Sequence, residues 1–239
     1  MLKKLLLNEP QPEESGLLRE ASQDIERFRR RLHDYNGRQK EGATPKYRRI
    51  ELWTSGLMMS LSELDQSVYA AGRYAERIRK TSLSNMTEEE QQDYYLHVYY
   101  YKNAFIRLFS LFDKIGYFLN DLLDLQTEKT KPRFSYFTVL RQMQKNHTEE
   151  KLANTLYSLK DRYDEPLRKL REQRNTEIHF MNAEMQDDLL RVYEKYNPKE
   201  PLENVKQNMA DLRQGLEAAL HTLREVFTES YRRIAESQA

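Results

Sequence analysis

Arg174, Asn175 and His179 fall within six residues of one another near the end of a long helical pattern. Together they carry the groups that metal-free cleavage of RNA requires. A base must take the 2′-OH proton, a cation must hold the charge building on the phosphate, and an acid must protonate the leaving 5′-oxygen. Histidine suits both proton transfers because its pKa lies near neutral pH. Arginine suits the phosphate, since its planar fork matches two oxygens and stays charged. Asn175 stands one helical turn before His179, where its amide can set the imidazole tautomer or touch the phosphate. Arg171, one turn before Asn175, is a candidate second phosphate contact.

Arg174 is out of place by type. Leu152, Leu156, Leu159, Tyr163, Leu167 and Leu170 follow one another at helical spacing, and Arg174 is the next member of that apolar stripe. At about 100° per residue, Arg174 lies roughly 20° from the centre of the stripe, whereas His179 points about 140° away from Arg174. Convergence of the two needs the reach of the arginine, a helix end near His179, or a second subunit. A structural reading competes with the catalytic one: Arg174 paired with a carboxylate such as Asp113 or Asp121, and His179 solvated at a helix end, complementing its dipole.

Two further sets of residues bear on binding. From Arg27 to Arg49 there are nine basic residues against Asp34 and Glu41. Arg29, Arg30, Arg31, Arg48 and Arg49 are candidate RNA contacts, with Tyr35 and Tyr47 as stacking rings, unless the run is only a solvated face. The chain has sixteen tyrosines, among them Tyr94, Tyr95, Tyr99, Tyr100 and Tyr101. They read as core or interface residues whose hydroxyls reach water, with a base-binding surface as the alternative.

Composition narrows the classes. The 239 residues suffice for one good-sized core, and charged residues at 32% against 38% hydrophobic suit amphipathic helices. The formal net charge of +1 supplies no global field for a polyanion, so nucleic-acid binding must be local. No cysteine is present, and His33, His97, His147, His179 and His221 lack metal-ligand spacing, so neither a metal nor a cofactor is expected. The apolar run Met1 to Leu7 stops at Asn8-Glu9-Pro10, which predicts no export signal and no membrane span. A cytoplasmic protein is expected.

The elements that would position the motif are all helical. Leu18, Ala21, Ile25, Phe28 and Leu32 form a short stripe before a break marked by Asn36-Gly37 and Gly42 to Pro45. A second helix starts near Pro45 and keeps Ile50, Trp53, Leu57, Leu61 and Leu64 inward. Thr87 with Glu90 reads as a capping box opening the longest helix, which runs through Phe105 and Phe112 to Leu122. A short helix follows over Phe134 to Met143. The motif helix runs from about Glu149 with a kink at Pro166, a further short helix covers Glu184 to Tyr196, and the last long helix begins at Leu202. Four long helices with narrow seams can hide them only against one another, so the fold is an all-α, up-and-down helical bundle with short accessory helices; an extended coiled coil is the alternative. The expected organisation is an N-terminal segment with a short basic helix over 1–44 and the bundle over 45–239.

This chain resembles the HEPN superfamily, whose signature is Arg, then Asn, Asp or His, then a His four to six residues after the Arg, closing a helix of an all-α bundle. The segment Leu111-Phe112-Asp113-Lys114-Ile115-Gly116-Tyr117-Phe118-Leu119-Asn120 also looks like a run found in bacterial stand-alone HEPN proteins. The two matches cover roughly Thr87 to His179. The resemblance implies a homodimer with facing motifs and a metal-independent endoribonuclease that leaves a 2′,3′-cyclic phosphate, with Arg174, Asn175 and His179 in the signature positions. It also implies a setting in toxin–antitoxin or defence systems, with an antitoxin or regulatory protein as a further partner. Some members are non-catalytic modules that bind RNA or protein, and that is the second functional expectation. Met181 stands where nucleotidylated relatives carry a tyrosine, so that mode of silencing is not implied here.

Overall fold

The computed structural model of this chain describes residues 16–38, 45–179 and 204–236. Among them are eight α-helices and no strand: α1 (Gly16–Arg38), α2 (Pro45–Ala75), α3 (Glu88–Leu123), α4 (Thr127–Thr130), α5 (Tyr136–Lys145), α6 (Glu150–Arg162), α7 (Asp164–His179) and α8 (Val205–Glu236), with a 3-10 turn at Leu83–Asn85. The fold is an all-α helical bundle. The expected helix over Glu184 to Tyr196 lies outside the described residues.

The residues form two compact units. The first holds 63–107, 164–179 and 204–216; the second holds 16–38, 45–62, 108–163 and 217–236. Helices α2, α3 and α8 each contribute a segment to both.

The first unit is built around His97, Tyr101, Phe105, Leu170 and Leu212, all buried. The start of α3 is capped as its sequence demands: Thr87 Oγ1 accepts from Glu90 N at 3.2 Å. The reciprocal half of the box is absent. Glu90 instead turns its carboxylate to the backbone N–H groups of Arg79 and Lys80, at 2.6 and 2.7 Å, and these donors hold its pKa below the usual carboxylate range. The capping residue thereby also ties down the end of the α2–α3 connection.

The second unit centres on three rings from three helices. Phe28 of α1 meets Phe118 of α3 at 5.8 Å and Phe227 of α8 at 5.4 Å, and the last two lie 5.0 Å apart. The stripe Leu18, Ala21, Ile25, Phe28 and Leu32 is buried throughout, and α1 continues past Asn36-Gly37 to Arg38. Beyond Leu32 the turn before that glycine is held by the Tyr35 ring against Tyr47 and by Asn36, which donates to Glu51 at 3.3 Å.

The expected kink at Pro166 is a full break one turn earlier. Helix α6 ends at Arg162, Tyr163 adopts φ −108° and ψ 18°, and α7 starts at Asp164. Proline lacks the N–H that would reach back to Arg162, and its ring crowds the turn before it. In the first turn of a new helix that N–H has no partner to lose, so the chain restarts there.

The D-K-x-G run on α3 turns out to hold the connection that follows it. Asp113 accepts from Tyr136 N, the first residue of α5, at 3.4 Å, where a carboxylate also complements the helix dipole. Lys114 Nζ donates to Ser60 Oγ at 2.5 Å. A side chain at Gly116 would place Cβ 2.8 Å from Tyr136 Cα, so only glycine lets α5 approach this closely. Buried Asn120 accepts from Thr127 N at 2.9 Å and donates to Glu128 at 3.0 Å, closing the turn that starts α4.

Candidate functional site

Helix α7 carries Arg171, Arg174 and Asn175 in the first unit, and its backbone is helical through His179, the last residue described before 204. The His179 side chain lies outside the described residues, as does Met181. The stripe leading to Arg174 is buried at Leu152, Leu156, Tyr163, Leu167 and Leu170, and half-buried at Leu159.

Arg174 is half-buried, with its Nε shielded from solvent. The residues on either side of it hold the helix in place. Gln173 accepts from the hydroxyl of Tyr101 on α3 at 2.5 Å and donates to Asn208 on α8 at 3.5 Å. One turn on, Glu177 lies 3.7 Å from the ammonium of Lys102. The Tyr101 ring stacks on His97, whose Nδ1 is 2.9 Å from the carbonyl of Ala71, so the imidazole is an N–H donor there. Burial pushes the His97 pKa down, keeping the ring neutral. Arg174 is therefore carried on a helix fixed to α3 and α8 through polar contacts, and α3 is in turn tied to α2 through His97.

Sequence reasoning missed Gln173, Lys102 and Asn208. The signal was present for Gln173, a polar residue next to the arginine on the inward side of an amphipathic helix. Tyr101 was expected only as a core residue. Other cations of α7 serve local structure: Arg168 pairs with Glu172 at 2.9 Å and Lys169 with Glu165 at 2.9 Å. Asp121, one of the carboxylates considered for Arg174, accepts from Arg49 and Trp53 instead, at 3.3 and 3.0 Å.

The basic residues Arg29, Arg30, Arg31, Arg48 and Arg49 belong to the second unit. Arg29 and Arg30 both donate to Glu26, at 2.7 and 2.9 Å, and hold its carboxyl down at about 2. Arg31 is half-buried with its Nε shielded, Arg49 pairs with Asp121, and Arg48 is exposed. Tyr35 and Tyr47 meet edge to face at 4.8 Å, each using the other as a ring partner. Tyr74 and Tyr100 stack at 5.8 Å in the first unit, whereas Tyr99 is 59% exposed. Among the described residues no helix is long and apolar enough to cross a membrane.

An all-helical bundle is the architecture expected of a HEPN domain. The family model described as HEPN_Cthe2314-like HEPN matches residues 53–231, from α2 to the last turns of α8, and the chain belongs to that family within the HEPN superfamily. No curated protein and no solved structure matches it. Helix α1 precedes the matched region, yet Phe28 supplies one of the central rings of its unit.

Proposed function

We propose that this HEPN protein is a metal-independent endoribonuclease, working in the cytoplasm as a homodimer whose motif copies share a cleft. One observation carries the reading: half-buried Arg174 interrupts an apolar helix face, on a helix pinned through Gln173 and Glu177 that also carries Asn175 and His179. Burying a cation costs free energy that a purely structural helix has no need to spend.

In this reading the His179 imidazole takes the 2′-OH proton while the 2′-oxygen attacks phosphorus. The 5′-oxygen leaves with a proton from a protonated imidazole, giving a 2′,3′-cyclic phosphate and a 5′-hydroxyl. Arg174 binds the non-bridging oxygens as charge grows on them, Asn175 orients the imidazole, and Arg171 contacts a neighbouring phosphate. On an ideal helix five residues separate Arg174 and His179 by about 140°, so a twofold partner supplies the group that one copy cannot aim. Arg48 holds a further phosphate, and Arg49, paired with Asp121, contributes, like Arg29, Arg30 and Arg31, only after giving up its present surroundings. A nuclease of this kind calls for a regulatory or antitoxin partner.

The test is incubation of labelled RNA in EDTA. Fragments ending in cyclic phosphate are expected from the wild type, and His179→Ala should slow their release by about 100-fold or more with the fold intact. Equal rates for both proteins would refute the assignment, and binding without fragments would favour a non-catalytic RNA-binding module.

A further inference from the structure

The second unit contains a short pile of rings that no part of the cleavage chemistry uses. Trp53 lies nearly flat on Tyr117, centroids 5.6 Å apart and planes 12° from parallel, and Tyr117 in turn meets Phe134 at 4.4 Å. Phe134 is buried, whereas Trp53 and Tyr117 keep part of their surface in solvent. The indole is locked in direction: its Nε1 donates to Asp121 Oδ2 at 3.0 Å, and the same oxygen accepts from Arg49 Nε at 3.3 Å. Trp53 thus ends the stack as a rigid, partly exposed ring with a guanidinium fixed at its edge.

Charge around this ring is predominantly positive. The chain reaches Phe134 through Lys131, Pro132 and Arg133, and both cations are exposed. Arg48, beside Arg49, is exposed as well. None of the three is ion-paired among the described residues. The acids of the region are already engaged: Asp121 by Arg49 and Trp53, Asp124 by Lys46, and Glu128 by the amide of Asn120. Such a surface selects for an anion with a flat face.

We propose that this surface binds single-stranded RNA, one base extending the stack on Trp53 and the adjoining phosphates resting on Arg48, Lys131 and Arg133. Single strands are favoured because only an unpaired base can offer its ring face, while a duplex keeps its bases stacked inside. Unpaired cations are favoured because an ion-paired arginine must shed its carboxylate before it can take a phosphate. This sets the surface apart from Arg29 and Arg30, which share Glu26. The site needs no cleavage to operate, so it stands independently of the ribonuclease proposal.

Trp53 is the only tryptophan of the chain, so its emission reports on this site alone. Full-length His179→Ala protein is titrated with a labelled single-stranded oligouridylate, following both anisotropy of the label and indole fluorescence. Binding with quenching of Trp53 is expected. The surface variant Arg48→Gln/Lys131→Gln/Arg133→Gln, which touches no buried group, should bind at least about tenfold more weakly. Its salt dependence should flatten by about 2 units of slope, because each phosphate that a cation no longer neutralises on a single strand removes roughly 0.7. Trp53→Leu should lose about fivefold or more at every salt concentration, the lower end of what one stacked base contributes.

Four results would each overturn the proposal: no binding, binding without quenching, a triple variant within twofold of its parent, or equal competition by a duplex of the same length. Cleavage by the wild type is scored separately. Quenching without cleavage would sink only the ribonuclease reading, and cleavage without quenching only this one.

Discussion

Helix interiors at Gly56 and Gly116 give opposite answers to one substitution, and the pair tests whether the α3 motif is structural. At Gly116 an added Cβ would sit 2.8 Å from Tyr136 Cα and 3.0 Å from Tyr136 N. Both are backbone atoms and cannot rotate aside, so the start of α5 must withdraw by at least about half an ångström before contact is tolerable. That withdrawal also stretches the Asp113 to Tyr136 bond, already 3.4 Å long. Overpacking of this kind costs about 1–3 kcal/mol, against a gain of about 0.5–1 kcal/mol for alanine over glycine within a helix. Gly116→Ala should therefore lose about 1–2 kcal/mol, and at about 2–4 °C for each kcal/mol in a chain of this size the Tm should fall by about 2–8 °C. At Gly56 nothing lies within 4 Å of the new Cβ, so only the helix gain remains. Gly56→Ala should raise the Tm by about 1–4 °C. Thermal and urea unfolding followed by circular dichroism at a helix band measures both. A Gly116→Ala protein as stable as wild type, or a Gly56→Ala protein less stable, would refute the packing argument.

Asn120→Ala should cost about 1–3 kcal/mol, because it strands the N–H of fully buried Thr127; a loss below about 0.5 kcal/mol in urea unfolding would show that the turn finds another acceptor. His97 supplies a pH test. Its folded pKa is depressed below 6.5, so its contribution is complete above that value and lost as pH falls, when the unfolded ring takes a proton that the buried one refuses. Stability should thus decline below about pH 6.5, and His97→Asn, which keeps a donor for the Ala71 carbonyl, should decline less over the same window; matching curves would remove His97 as the cause.

The helices were legible because their evidence is local. A stripe such as Leu18 to Leu32 repeats at the spacing of one helix face whatever it packs against, and Thr87 signals a helix start to residues a single turn away. The competition for Arg29 and Arg30 was equally readable, since Glu26 lies three and four residues before them on the same helix. The position of Arg174 on its stripe needed nothing beyond counting. The site was legible to that extent and no further, because the clasp around it joins residues remote in sequence: Tyr101 reaches Gln173, and Gln173 reaches Asn208.

What the amino-acid order determined by itself was therefore the all-α class, the inward faces, the family and the candidate motif, all of which follow from spacing along one helix or from residue type. Tertiary structure decided the rest. It replaced a kink at Pro166 by a break at Tyr163, and it turned a run of residues noted for resemblance into the fastening for α4 and α5. It also set Trp53 against Tyr117, a ring sixty-four residues further along the chain. Those outcomes depend on which surfaces meet when distant segments close-pack, and side-chain periodicity carries no record of the partner.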